Sequence, residues 1–290
     1  MPKIRESRWL AESSDLPYGS VKIKSLLGIK KQLYSGRSLF QKIEVYETQS
    51  FGRVLVLDGI FQTSEKDGFI YHEMLCQLPL FCHRHPKKVL IIGGGDGGSL
   101  REILKHPIDK VWLVEIDKKV IEISKKYLPS ISRRSFDSKK AEIIIGNGLK
   151  FIKKYKNFFD VIILDSSDPS GPARKLFSSE FYKDVKRALK KNGVISVQSG
   201  SLTVQPKLVS LINQRLKKIF SFVQTHFACV PLYQAGEYAF ILASDNNLNK
   251  ISSAVLKKRF SKLSLKTKYY SPEIHFSSKV LPKIFKEIVS

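Results

Sequence analysis

The chain has 290 residues, 42% of them hydrophobic, and its 50 Lys and Arg against 26 Asp and Glu give a net charge of +24. That is ample apolar material for one large domain with a smaller companion, and it removes any need for disulfide staples; the three cysteines, Cys76, Cys82 and Cys229, have no paired spacing. No leader-like apolar stretch opens the chain and no apolar run approaches the roughly 18 residues of a membrane span, so a cytoplasmic protein with no membrane partner is expected.

The excess charge is spread along the chain in pairs such as Lys118-Lys119, Lys153-Lys154 and Lys190-Lys191. No basic segment is interleaved with aromatic residues, so the lysines read as solvated faces and no nucleic-acid partner is expected. Residues 1–66 form a first domain of short antiparallel strands, at 21–24, 40–47 and 53–57, with Gly36, Gly52 and Asp58-Gly59 as turns. Residues 67–290 form the second domain. It opens with a helical stretch at 71–78 that leads to Pro79 and a connector ending at Pro86.

The next run, Val89-Leu90-Ile91-Ile92-Gly93-Gly94-Gly95-Asp96-Gly97-Gly98, reads as a buried strand, a turn of bare backbone and the start of a helix. Further strands fall at 111–115, 142–145, 161–164 and 194–198. Helical patterns lie between them: one ends before Pro129, another spans Phe181 to Leu189 and stops at Asn192-Gly193, and a third has Pro206 in its first turn. The runs 222–230 and 238–243 then form a hairpin, and the lysine-rich tail keeps apolar anchors such as Leu281 and Ile284. A parallel sheet finished by an antiparallel hairpin predicts an α/β, methyltransferase-like (Rossmann-like) seven-stranded sheet.

Ligands of such sheets sit beyond the carboxyl ends of the strands. Here those ends are acidic, with Asp96, Glu115-Ile116-Asp117 and Asp165-Ser166-Ser167-Asp168, and Gly146-Asn147-Gly148 ends the remaining strand. Glu115 lies where a carboxylate grips ribose hydroxyls. Gly93, Gly95 and Gly98 also fit a dinucleotide fingerprint, so spacing alone leaves NAD open. Asp96 would repel a pyrophosphate, which favours a nucleoside with a cationic tail, and it can also serve as a helix N-cap. Asp168-Pro169 could be a simple turn, but two carboxylates facing a site that holds Asp96 suit a cationic substrate.

Together, Gly93-Gly94-Gly95-Asp96-Gly97-Gly98, Glu115-Ile116-Asp117, Asp165-Ser166-Ser167-Asp168-Pro169-Ser170-Gly171-Pro172-Ala173, Tyr71-His72-Glu73-Met74 and Val230-Pro231-Leu232-Tyr233 resemble the polyamine aminopropyltransferases, the family of the bacterial spermidine synthases. The likeness runs from about Trp9 to the end of the chain. It implies transfer of an aminopropyl group from the co-substrate decarboxylated S-adenosylmethionine to putrescine, giving spermidine and methylthioadenosine with no metal or redox cofactor, by a homodimer or homotetramer. By matching position, Gln41, His72, Gly93, Gly95, Asp96, Glu115, Asn147, Gly148 and Pro172 would hold the donor. Tyr71, Asp165, Asp168, Gln198 and Tyr233 would line the diamine site with Trp9 as cover, and Asp165 and Tyr71 would be catalytic.

The chemistry makes that assignment intelligible. Positive charge leaves sulfur and appears on the attacking nitrogen, so carboxylates beside that nitrogen favour the transition state. An amine near pKa ~10 cannot simply lose its proton to an Asp near ~4, a mismatch of roughly 8 kcal/mol, so Asp165 takes the proton as the new bond forms. Ordinary S-adenosylmethionine keeps a carboxylate that would face Asp96; at about 4 Å and an effective dielectric near 20 that costs roughly 4 kcal/mol. Four positions depart from the family pattern: Asn147 replaces a common Asp, Arg174-Lys175 replaces Glu-Ser, and Gly68 replaces an acidic residue. The residues Cys82-His83-Arg84-His85 lack a distant partner pair and read as structural, as do His106 and His226. His72, on sequence alone, could equally face solvent. Two other readings share the fold: a methyltransferase acting on RNA, and a non-catalytic adenosine-binding module.

Overall fold

A computed structural model describes residues 8–12, 16, 18–169 and 171–290, with the side chain of Pro172 outside the description. The first sheet has five antiparallel strands in sequential order: β1 (Arg8–Ala11), β2 (Leu26–Arg37), β3 (Lys42–Thr48), β4 (Arg53–Leu57) and β5 (Ile60–Ser64). β4 and β5 are joined by Asp58 and Gly59, both at positive φ (47° and 81°), the backbone that a two-residue hairpin requires.

Helix α1 (Gly68–Cys82) leads into the second sheet. Its parallel part is built from β6 (Lys88–Gly93), α2 (Gly98–Leu104), β7 (Lys110–Glu115), α3 (Lys118–Tyr127), α4 (Pro129–Ser132), β8 (Ala141–Ile145), α5 (Gly148–Ile152), β9 (Phe159–Asp165), α6 (Ser179–Ala188) and β10 (Leu189–Gln198). After α7 (Pro206–Lys217) come the hairpin β11 (Phe222–Cys229) and β12 (Glu237–Ser244), then α8 (Ser253–Leu263), α9 (Pro272–Ser277) and α10 (Lys283–Val289). The strand order β11-β12-β10-β9-β6-β7-β8 is the expected α/β plan, seven strands with five parallel and a terminal hairpin.

Alternation within the strands divides the core. Val89, Ile91, Val161 and Ile163 pack under α1 and α2, while Leu90, Ile92, Ile162 and Leu164 pack against α6 and α7. The small sheet is apolar on both faces. Ile43, Val45 and Leu55 rest on Val120, Ile123 and Ile131 of α3 and α4, and Tyr46, Val54, Val56 and Phe61 meet Leu232 beside the terminal hairpin. It therefore spans the carboxyl end of the large sheet, where a ligand would sit.

Several expectations are corrected. Residues 21–24 are unpaired, and the strand is β2, whose two register breaks and exposed lysines hide its alternation. Gly36 lies inside that strand, not in a turn. Helix α1 runs through Pro79 to Cys82, because a helix buried along nearly all its length is held by packing despite one missing N–H. Leu189 already belongs to β10, which reaches its paired register at Val194 through an irregular stretch, so α6 stops at Ala188 before Asn192-Gly193. In the tail Leu281 is buried but Ile284 is 65% exposed, and Phe285 and Ile288 make the packing contacts. Among the described residues no helix is long and apolar enough to cross a membrane.

Candidate active site

Gly93 ends β6 at φ 89°, and a Cβ there would lie 2.0 Å from the carbonyl oxygen of Asp165 at the end of the adjacent β9. Only glycine lets these two strand ends touch. Beyond them opens a cavity of about 360 Å³ whose wall takes residues from both sheets. Six carboxyl side chains face it, those of Glu12, Asp58, Asp96, Glu115, Asp165 and Asp168, and no lysine, arginine or histidine is among its described lining residues.

Asp165 is the best-held of these. Tyr71 Oη donates to its Oδ1 at 2.7 Å and Ser99 Oγ donates to its Oδ2 at 2.6 Å. Burial, then the nearby Asp96, raise its pKa above the usual carboxylate range. Tyr71, Tyr233 and Tyr238 cluster beside it, their ring centroids 4.8 to 5.8 Å apart. Carboxylates next to aromatic faces form a seat for an ammonium group.

Asp96 accepts from Gly98 N at 2.8 Å and pairs with His72 Nε2 at 3.0 Å. Burial opposes charge on both; their mutual attraction outweighs it, so the Asp96 pKa is lowered and that of His72 raised. His72 fits only because residue 98 is glycine, since a Cβ there would lie 2.3 Å from the imidazole. His72 is 1% exposed and stands behind Asp96, neither lining the cavity nor facing solvent.

At the carboxyl end of β7, Glu115 accepts from Asp117 N at 2.9 Å, and burial raises its pKa to about 7. Asp117 accepts from Lys119 N, capping α3, and from Ser38 Oγ and Gln41 Nε2 across the gap between the sheets, at 2.6 and 2.9 Å. Gln41 thus lines the cavity with its amide anchored. Asn147 caps α5, its Oδ1 accepting from Leu149 N at 2.8 Å and Lys150 N at 3.3 Å. Its oxygen is therefore occupied, which leaves the amide nitrogen for a ligand.

At the other end, Asp168 accepts from Gln205 Nε2 at 2.8 Å, and burial raises its pKa. Gln198 donates to Ser166 O at 2.8 Å and accepts from Tyr238 Oη, so it fixes the wall without lining it. Trp9 is 61% exposed on β1 and away from the lining, whereas Glu12, one residue past that strand, reaches the cavity, accepts from Phe61 N at 2.9 Å and is pushed by burial to about 7. Gly95 and Gly148 line the cavity with Gly93; the side chain of Pro172 lies outside the described residues. His72, Asp96 and Asp165 are the one described group offering ligand atoms within 4.8 Å of one another for a metal ion, though the two aspartates already accept hydrogen bonds.

Glu12, Ser99, Gln205 and Tyr238 were not foreseen. Ser99 had a signal, one residue past the glycine turn at the start of α2; the other three reach the site only through tertiary packing.

Family models of known proteins match the chain in two stretches, a spermidine synthase tetramerisation domain over residues 9–65 and a spermine/spermidine synthase domain over residues 68–253. A polyamine aminopropyltransferase of Thermoanaerobacter sp. (strain X514) is 42% identical over 97% of this chain and 98% of its own. One from Caldicellulosiruptor bescii is 43% identical over 90% and 92%. Among solved structures, spermidine synthase in complex with the transition-state analogue AdoDATO superposes with a TM-score of 0.92 at 38% identity, covering 98% of this chain and 96% of that one. Spermidine synthase from Thermotoga maritima gives 0.91 at 38% identity, covering 98% and 95%.

Proposed function

Because the chain belongs to the spermine/spermidine synthase family and is an aminopropyltransferase, we propose that it carries the aminopropyl group of decarboxylated S-adenosylmethionine to putrescine, giving spermidine and methylthioadenosine. The observation that supports this most is the cavity wall itself, six carboxyl groups with no cationic side chain among the described residues. Two polycationic small molecules would supply there the countercharge that the described lining residues do not.

In this reading the adenosine lies over Gly93, Gly95 and Gly148, with its ribose on Glu115 and Gln41, and Asp96 receives the donor's ammonium. His72 acts through Asp96. The diamine lies between Tyr71, Tyr233 and Tyr238, its far ammonium toward Asp168. The near nitrogen attacks the methylene carbon bonded to the sulfonium; the N–C bond forms as the C–S bond breaks, and the bonding pair leaves with sulfur as a neutral thioether. The proton then surplus on nitrogen passes to Asp165. A raised Asp165 pKa narrows its mismatch with the amine, and the Tyr71 and Ser99 hydroxyls fix both oxygens in line. The exposed apolar side chains of the small sheet, Leu26 and Leu39 among them, fit burial between copies in a homo-oligomer, consistent with the tetramerisation-domain match.

Incubation with the decarboxylated donor and a panel of diamines, with products identified by mass, is the test. Spermidine and methylthioadenosine from putrescine are expected. Adenosine binding with no turnover of any amine, or methyl transfer from S-adenosylmethionine, would overturn the reading.

A further inference from the structure

The lysines that are scattered along the sequence are gathered by the topology. Every parallel strand starts at one end of the large sheet, and a lysine stands at or just before each start: Lys88 on β6, Lys110 on β7, Lys140 before β8, Lys156 before β9 and Lys190 on β10. Lys88 and Lys110 are register partners, and Val111 N donates to the carbonyl of Lys140, so these starts are contiguous. Carboxylates answer only some of this charge: Asp109 pairs with Lys87, Glu142 with Lys110 and Asp160 with Lys190. Lys88, Lys139, Lys140, Lys154, Lys156 and Lys191 have no carboxylate within salt-bridge distance among the described residues.

This end also carries partly exposed aromatic rings. Trp112 and Tyr155 lie 5.4 and 4.9 Å from Phe158, and Lys88 Nζ sits 4.1 Å over the Phe158 ring. At the same end, on the opposite face of the sheet from these rings, opens a second cavity of about 360 Å³, walled by His83, Arg84, His85, Asn192 and Asn246 among others. The fold thus assembles in space the basic, aromatic-floored surface that no single stretch of sequence shows.

We infer that this end of the sheet binds single-stranded RNA. Unpaired lysines would track the phosphates, the partly exposed aromatic rings offer stacking surface, and the asparagines and Arg84 of the cavity suit a base or phosphate. A strand of about six residues separates this surface from the active-site cavity, roughly 20 Å, so a nucleotide held here does not itself touch the active-site cavity. The inference therefore stands apart from the transfer reaction.

The test is fluorescence anisotropy of the full chain with a labelled oligouridylate of about 20 nucleotides. Neutralising about five phosphates of a single strand predicts a salt slope near −3.5, so affinity should fall about a hundredfold between roughly 50 and 200 mM salt. The quadruple variant Lys140→Glu, Lys154→Glu, Lys156→Glu, Lys191→Glu should lose at least about tenfold in affinity while keeping aminopropyl transfer. The same charge change through Lys66→Glu, Lys207→Glu, Lys262→Glu and Lys266→Glu, none of which lines this end or its cavity, should leave binding within about twofold. In a Trp9→Phe background, Trp112 fluorescence should be quenched on binding. Absence of binding, equal weakening by both variants, or binding of duplex DNA, polyphosphate or anionic vesicles as tight as that of the oligouridylate would overturn the inference.

Discussion

In the proposed transfer Asp165 would owe its role to two hydroxyls that hold its carboxylate in place. With Tyr71 and Ser99 each donating to one oxygen, replacement by Asn turns one acceptor into a donor without changing shape. Asp165→Asn should lower kcat roughly 100- to 1,000-fold, read as methylthioadenosine release, with the melting temperature little changed. Asp96 is a subtler case. Its pairing with His72 offsets part of its field, so the discrimination against S-adenosylmethionine expected of it should be smaller than a bare carboxylate would give. Asp96→Asn should strengthen competitive inhibition by S-adenosylmethionine about tenfold, roughly 1.4 kcal/mol; an unchanged inhibition constant would remove Asp96 from donor choice. Asp165, Asp168 and Glu115 were legible because strand ends face the ligand in parallel sheets. Glu12 was not: it lies one residue past β1, and nothing local says that a residue of the small sheet ends beneath the large one. Gln198 was placed in the acceptor site by resemblance; its side chain hydrogen-bonds Asp168 there and also braces Tyr238 from behind.

Helix α1 shows how one element serves three tasks. Successive side chains point about 100° apart, so Tyr71 reaches Asp165, His72 reaches Asp96, and Glu73 turns outward to the chain's last segment. Glu73 accepts from the backbone N–H groups of Lys268, Tyr269 and Tyr270, at 2.8 to 3.1 Å. Glu73→Gln puts an amide N–H against those donors and should cost about 2 to 4 kcal/mol in denaturant unfolding, with faster hydrogen exchange at residues 268–277. Exchange unchanged there would mean that the tail is held by its apolar contacts alone. This helix also marks a limit of sequence rules. Proline normally ends a helix, and a reader of local pattern stops at Pro79; only the surrounding core, invisible in the local sequence, carries the helix onward to Cys82. The same holds for β2, whose twelve residues show no clean alternation because its neighbours leave both faces half-covered.

At the scale of the molecule, the proposed reaction has a chain of net charge +24 capture cations. Screening removes distant repulsion before it weakens contacts a few ångströms long, because the Debye length is near 8 Å at physiological salt. kcat/KM for the diamine should therefore rise as ionic strength is increased from about 10 to 150 mM, the opposite of the usual trend for oppositely charged partners; a fall would mean that the acidic cavity dominates even at long range. The cavity has another consequence. Glu12 and Glu115, each pushed to about 7 by burial, hold hydrogen ions near neutrality in the empty protein. An arriving cation lowers both values again, so filling the site expels those ions to the buffer, and occupancy tightens as pH rises through about 7. Titration calorimetry near that pH, in two buffers of unlike ionisation enthalpy, should then give heats that differ. The resting enzyme is in this sense a small acid reservoir that its own substrates discharge, and equal heats in both buffers would mean that the reservoir is empty from the start.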